Sequence, residues 1–204
     1  MNRALLRLAT CLALFAATAV WASSALAAGN VVISQVYGGG GNAGSIFKND
    51  FIELFNPTGA TVVVNGWSVQ YSSSAGSTWQ VTNLAGSVAP GHYYLVQESA
   101  GAGGTTSLPT PDASAGILMA AGAGKVALVN QTTALTGTCP LGVTVIDFVG
   151  YGGANCSEGG TPVATLTNTT SGSRIDNGCT DTDHTADGRR DKRDQHGMDE
   201  QRAR

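Results

Sequence analysis

"NDFIELFN", residues 49–56, decides the fold, because it sets Asp50 and Glu53 inside a run of Phe, Ile and Leu. Successive side chains of an extended chain point to opposite faces, so Phe51, Glu53 and Phe55 share one face while Asp50, Ile52 and Leu54 share the other. The two carboxylates therefore point apart and do not read as an acid–base pair. Glu53, flanked by two aromatics, is costly to bury charged unless several donors meet it. It reads as a structural acceptor for backbone N–H groups of a neighbouring loop such as residues 38–44. Asp50, at the mouth of the strand, is the better candidate of the two for a metal ligand.

Outward from this stretch, apolar and β-branched runs recur between turn signals. Strands are expected at residues 31–37, 50–55, 61–64, 67–72, 78–82, 92–97, 117–120, 126–130 and 143–149. The segments between them, such as "NPTG" (56–59), "APG" (89–91) and "AGAG" (121–124), carry turn chemistry. No long amphipathic helix is apparent. Charged residues make up only 12% of the chain and glycine is abundant, which favours an all-β domain, a sandwich or barrel of immunoglobulin-like type. The Gly/Ser/Thr/Pro-rich residues 100–115 read either as a surface excursion or as a binding loop.

The ends of the chain differ from this middle. Residues 1–27 have the layout of a secretory signal: Arg3 and Arg7, an apolar run from Leu8 to Trp21, then Ala25-Leu26-Ala27 as a cleavage site. The apolar run is shorter than the roughly 20 residues of a membrane span, so the mature chain is expected to be exported and free of the membrane. Residues 28–183 form one expected domain. Between Ala28 and Ser173 the basic residues are Lys48 and Lys125, against Asp50, Glu53, Glu98, Asp112, Asp147 and Glu158. That balance gives no electrostatic reason to hold nucleic acid or an anionic membrane. Residues 184–204 are densely charged and cannot bury enough surface to fold alone.

Catalytic constellations fail on spacing: there is no G-x-S-x-G, no H-E-x-x-H and no C-x-x-C. "GAGK" (122–125) lacks the Ser or Thr of a phosphate-binding loop, since Val126 follows, and reads as a turn entering a strand. His92 opens the strand "HYYLV", and His184 and His196 lie in the polar tail, where no rigid partner orients them. Three cysteines follow the signal, so at most one internal bridge forms. Cys139–Cys156 is the expected pair, worth ~3 kcal/mol in the chain-entropy picture, with Cys179 left over. "CTDTDHTADG" (179–188) groups Asp181, Asp183 and Asp187 either as oxygen ligands for calcium or as a solvated acidic turn; it does not fit the EF-hand pattern.

Four segments in order, "NDFIELFN", "VNGWSVQY" (64–71), "APGHYYLV" (89–96) and "VIDFVGYG" (145–152), resemble the lamin-tail domain in its exported bacterial version. The resemblance implies an immunoglobulin-like β-sandwich, with Trp67 as well as Glu53 in structural roles, and a domain that is not itself a catalyst. It also implies, as in many bacterial members, a place ahead of a secreted nuclease domain of endonuclease/exonuclease/phosphatase type. Where similar sequences continue into an apolar final strand, this one reads "GRRDKRDQHGMDEQRAR" (188–204). A frameshift or truncation, or a genuine solvated tail, accounts for the change. The expected function is a non-catalytic exported module that binds or positions an extracellular partner, with nuclease activity or calcium-dependent adhesion as alternatives.

Overall fold

The computed structural model describes residues 30–175, together with the backbone of residues 189–191. The expected signal (1–27), Cys179, Asp181, Asp183 and Asp187 lie outside the described residues. Twelve strands are described: β1 (Val32–Tyr37), β2 (Asn49–Phe55), β3 (Val62–Val63), β4 (Ser68–Ser73), β5 (Gln80–Asn83), β6 (Ser87–Val88), β7 (Tyr93–Ala100), β8 (Ala113–Ser114), β9 (Gly124–Val129), β10 (Val145–Tyr151), β11 (Thr170–Ser173) and β12 (Arg189–Asp191). They form a six-stranded sheet in the order β12-β11-β1-β2-β7-β8, a four-stranded sheet in the order β10-β9-β4-β5, and the small pair β3-β6. Among the described residues no helix is long and apolar enough to cross a membrane.

Period-two alternation places the central core between the two sheets. Ile52 and Leu54 of β2 meet Val69 of β4 and Val126 and Leu128 of β9 there, all fully buried. Each such side chain contributes roughly 1.5–3 kcal/mol on removal from water. The opposite face of β2 is covered as well. Phe51 packs with Tyr37, Phe47, Leu95 and Leu108 beneath the loops 38–48 and 101–112, with Phe47 and Phe51 edge to face at 5.9 Å. A third apolar group, Trp79, Ala127, Val129, Leu135 and Phe148, lies on the outer face of the four-stranded sheet. Residues 100–115 are thus a lid over apolar surface, with Leu108 buried and Ala113–Ser114 paired in parallel to β7.

Trp67 is half-buried against the central core. The cover is close enough to dictate glycine. A Cβ on Gly40 would stand 1.9 Å from the Asn49 carbonyl carbon, and one on Gly41, where φ is +67°, 2.1 Å from the Gly101 nitrogen.

One expected strand is corrected, and one pairing in the tail is added. Residues 117–120 form no strand, although Ile117 and Met119 are buried; side chains take the N–H groups that a strand partner would have taken. In the tail, Arg189–Asp191 pair antiparallel with Thr170–Gly172 as an edge strand. A segment too polar to fold alone can still complete a ladder, because the sheet supplies its backbone partners.

Candidate functional site

The inward row of β2 ends at Asp50, and that of β7, Tyr94 and Val96, ends at Glu98. Register shifts between Asn49 and Phe51 in the β2–β7 ladder. Both carboxylates sit between the sheets, each 1% exposed. They grip one segment, residues 117–120, hereafter the strap. Met119 N–H donates to Asp50 Oδ2 at 2.9 Å and Ile117 N–H to Glu98 Oε2 at 3.0 Å. The other oxygens are engaged too: Gly40 N–H donates to Asp50 Oδ1 at 2.8 Å, and the Thr82 hydroxyl on β5 to Glu98 Oε1. Tyrosines hold the strap's far end, where Ala120 N–H donates to Tyr71 Oη at 3.0 Å and Tyr151 Oη donates to the Ala120 carbonyl at 2.8 Å.

Of the two acids of "NDFIELFN", Asp50 is the one seen to accept an N–H group of the loop 38–44, and Glu53 is a buried structural acceptor on the other face. Asp50, expected as the better metal ligand, takes backbone N–H groups from the glycine loop and from the strap. Glu53 accepts from the Ser34 hydroxyl at 2.7 Å on the opposite face, where β1 bulges between Ile33 and Gln35. Both acids are buried, and the physical reason is the face each occupies: Asp50 stands toward the glycine loop and the strap, whereas Glu53 stands toward Ser34 of β1.

The same use recurs along the chain. Asp112 accepts Leu95 N–H at 2.7 Å. Asp147 on β10 accepts Ile33 N–H of β1, stitching the two sheets together, and pairs with buried Arg174 at 2.7 Å. Asn56, the last residue of the opening stretch, donates to the Ala60 and Val88 carbonyls at 2.8 Å and so fixes the β3–β6 pair.

Burial dominates the electrostatics of the acid pair. It pushes the Asp50 carboxyl up to about 7; its two N–H donors oppose the rise and the charge of Glu98 adds to it. Burial likewise raises Glu98, against the Thr82 and Ile117 donors. Tyr37 is pushed up to about 12 by burial and by the nearby Asp50 charge. Paired acids with raised pKa values are a usual property of catalytic sites, but here the strap lies over them. On the solvent side of the strap runs an open groove of about 670 Å³, lined among others by Asn42, Tyr71, Thr78, Gln80 and Leu118.

The opposite sheet carries a buried cation. Lys125 of β9 is fully buried, and its Nζ donates to the Gly76 carbonyl at 2.8 Å, the Thr138 carbonyl at 2.6 Å and Asn155 Oδ1 at 2.9 Å, with the Trp79 ring 5.6 Å away. Burial lowers its pKa. Thr138 and Asn155 each precede a half-cystine of the Cys139–Cys156 disulfide, the expected pair, whose Cα atoms are 5.4 Å apart. His92 is exposed in the turn before β7. Among the described residues no three His, Cys, Asp or Glu side chains gather in a metal-holding group.

The sequence from residue 24 to 153 matches the family described as Lamin Tail Domain. The chain belongs to the lamin tail domain family. This lamin tail domain carries Asp50, Glu98 and Lys125 within the matched span, while Cys156 and Arg174 lie beyond it. No curated protein matches the chain. A solved structure of a DUF4876 family protein from Bacteroides thetaiotaomicron VPI-5482 is similar at 10% identity with a TM-score of 0.45, over 79% of this chain and 70% of that one. The acid pair went unread in the sequence, although period two in "YYLVQESA" puts Glu98 on the inward row with Tyr94 and Val96. For Lys125, fully buried at the start of "KVALV", the sequence held no signal beyond its place before an apolar run.

Proposed function

We propose that this lamin tail domain is a non-catalytic, exported module that binds or positions a partner outside the cytoplasm. The observation that supports this best is the engagement of its acids. Asp50, Glu98, Asp112 and Asp147 accept backbone N–H groups, Glu53 accepts the Ser34 hydroxyl, and Glu158 faces Arg174 at 3.4 Å. Carboxylates so committed hold loops to sheets, and each would have to surrender a structural bond to bind a catalytic cation. The disulfide is compatible with an extracellular or periplasmic location. The partner implied by the family resemblance is a nuclease domain in the same polypeptide, with this domain placing it.

The test is incubation of the purified chain with supercoiled plasmid and Mg²⁺, and the expected result is intact plasmid. Cleavage that disappears in a folded Glu53→Gln variant overturns the reading in favour of an enzyme. The nuclease partner has its own test in the coding DNA downstream of Asp183: an apolar strand followed by nuclease motifs in another frame supports it.

A further inference from the structure

We propose that residues 192–204, which follow β12, dock across the outer face of the six-stranded sheet and set their cations against Glu53. Parity builds that face. Phe51, Glu53 and Phe55 of β2 stand on it, and the register continues the Glu53 row through Gln35 of β1 to Ser173 of β11. The loops 38–48 and 101–112 lie over one end of the face, at Phe51 and Leu95. At the other end Phe55 enters none of the three apolar clusters and meets the Tyr93 ring at 4.8 Å. Within the row, Ser34 Oγ donates to Glu53 and Gln35 Nε2 to Ser171 Oγ, bonds that run between neighbouring strands and put nothing above them. Yet Glu53 is 2% exposed, Gln35 6% and Phe55 8%. An antiparallel sheet face open to water keeps its side chains exposed, so this face has a cover.

The course of the chain names the occupant. β12 pairs with β11, Ser171 opposite Arg190, so residue 192 leaves the ladder at the edge of this sheet. The inner face is closed there by the central core, which leaves the outer one to the tail. Glu53 lies three strands from β12, roughly 14 Å away at the usual strand spacing. The 13 residues of 192–204 span up to about 40 Å when extended. Chemistry agrees with reach, because Lys192, Arg193, Arg202 and Arg204 bring cations to a carboxylate set between Phe51 and Phe55. An ion pair with hydrogen bonds offsets the cost of burying that charge. Docked there, the tail is the cover of the sheet, and the sheet supplies the apolar surface that so polar a segment lacks.

NMR of the full, disulfide-bonded chain and of a chain ending at Asp191, which keeps β12, tests this. The shorter chain is expected to show shifted, faster-exchanging amides at Val32, Gln35, Glu53 and Phe55, while Val69 and Leu128 in the central core stay unchanged. The double variant Lys192→Glu/Arg193→Glu, which keeps the length in case the shorter chain fails to fold, is expected to move the same outer-face amides. Salt at about 0.5 M is expected to shrink the difference between the unmodified chain and that variant, since it screens exposed charges. Glu53→Gln is expected to lower Tm further in the full chain than in the shorter one; an equal loss in both overturns the pairing with Glu53. Outer-face amides indifferent to both changes overturn the docking. So do shifts that grow with protein concentration, which would put a second copy on the face, and shifts produced instead by removing residues 1–29, which would give it to the N-terminal segment.

Discussion

The two sheets of this domain hold their outer segments by opposite chemistry. On one side, anions accept: Asp50 and Glu98 take N–H groups of the strap. On the other, a cation donates: Lys125 takes the carbonyls of Gly76 and Thr138 and the amide oxygen of Asn155, with a disulfide beside it. Each replaces a strand partner with buried ionisable side chains, two carboxyls on one side and one ammonium on the other. The difference lies in completeness, since three ammonium protons meet three oxygens whereas two carboxylates crowd one another. The lysine clasp is accordingly a fixed tie, and the acid clasp a titrating one.

Removing the lysine is the severest way to break that comparison. Lys125→Met keeps the apolar stem over Trp79 but leaves three acceptors without their donor. A loss of about 3 kcal/mol in urea denaturation is expected, since each buried unmet polar group costs about 1–3 kcal/mol and water recovers part of it. Replacing Cys139 and Cys156 with serine removes a 17-residue closure and is expected to cost about 2–3 kcal/mol. Because Thr138 and Asn155 adjoin the half-cystines, the two changes act on the same loops. A double-mutant cycle is expected to show a coupling of at least ~0.5 kcal/mol; strict additivity would mean that the disulfide and the lysine hold the cover independently.

The acid side breaks more gently and in a pH-dependent way. Asp50, with its pKa raised from 3.8 to about 7, contributes stability that is fully present below pH 4 and lost as pH rises through 7, and Glu98 acts in the same direction. Thermal unfolding is therefore expected to show a higher Tm at pH 5 than at pH 8. Asp50→Asn is expected to flatten that profile. Any cost of the substitution is expected to be larger at pH 5 than at pH 8, where it also removes a desolvated charge.

The same contrast marks what could be read beforehand. The strand positions of "NDFIELFN" and "VNGWSVQY" were legible, because alternation and turn residues are local signals. So was the facing of Asp50 away from Glu53, which follows from parity alone. Which acid takes the loop's N–H groups was not legible, because it depends on which face of β2 meets the other sheet, and both faces carry large apolar side chains: Ile52 and Leu54 on one, Phe51 and Phe55 on the other. β11, Thr170–Ser173, was missed because "TSGS" has no apolar period to detect. The strap was read as a strand because its pattern, Ile117 and Met119 inward, is that of a strand; only the identity of its hydrogen-bond partners differs.

The smallest expected effect concerns cations, and it sharpens the comparison by moving away from both clasps. The acids of residues 30–173 are committed to N–H groups, a hydroxyl or an arginine, so calcium added to the folded chain has to act through other carboxylates. Among those at residues 174–204, Asp181, Asp183 and Asp187 are the group that the sequence reading singles out for calcium. A site of the weak extracellular kind, with Kd near ~10⁻⁴–10⁻³ M, adds about 1.4 kcal/mol when calcium is tenfold above Kd, which corresponds to a Tm shift of roughly 3–6 °C at this chain length. The calcium proposal thus predicts a rise of that size in millimolar calcium, reversed by EDTA and lost in Asp183→Asn, while Asp50→Asn keeps it. A Tm indifferent to EDTA and to calcium removes the proposal and leaves those aspartates as a solvated turn. A shift that instead disappears in Asp50→Asn would mean that the strap opens to a cation, making the acid clasp a binding site as well as a fastening.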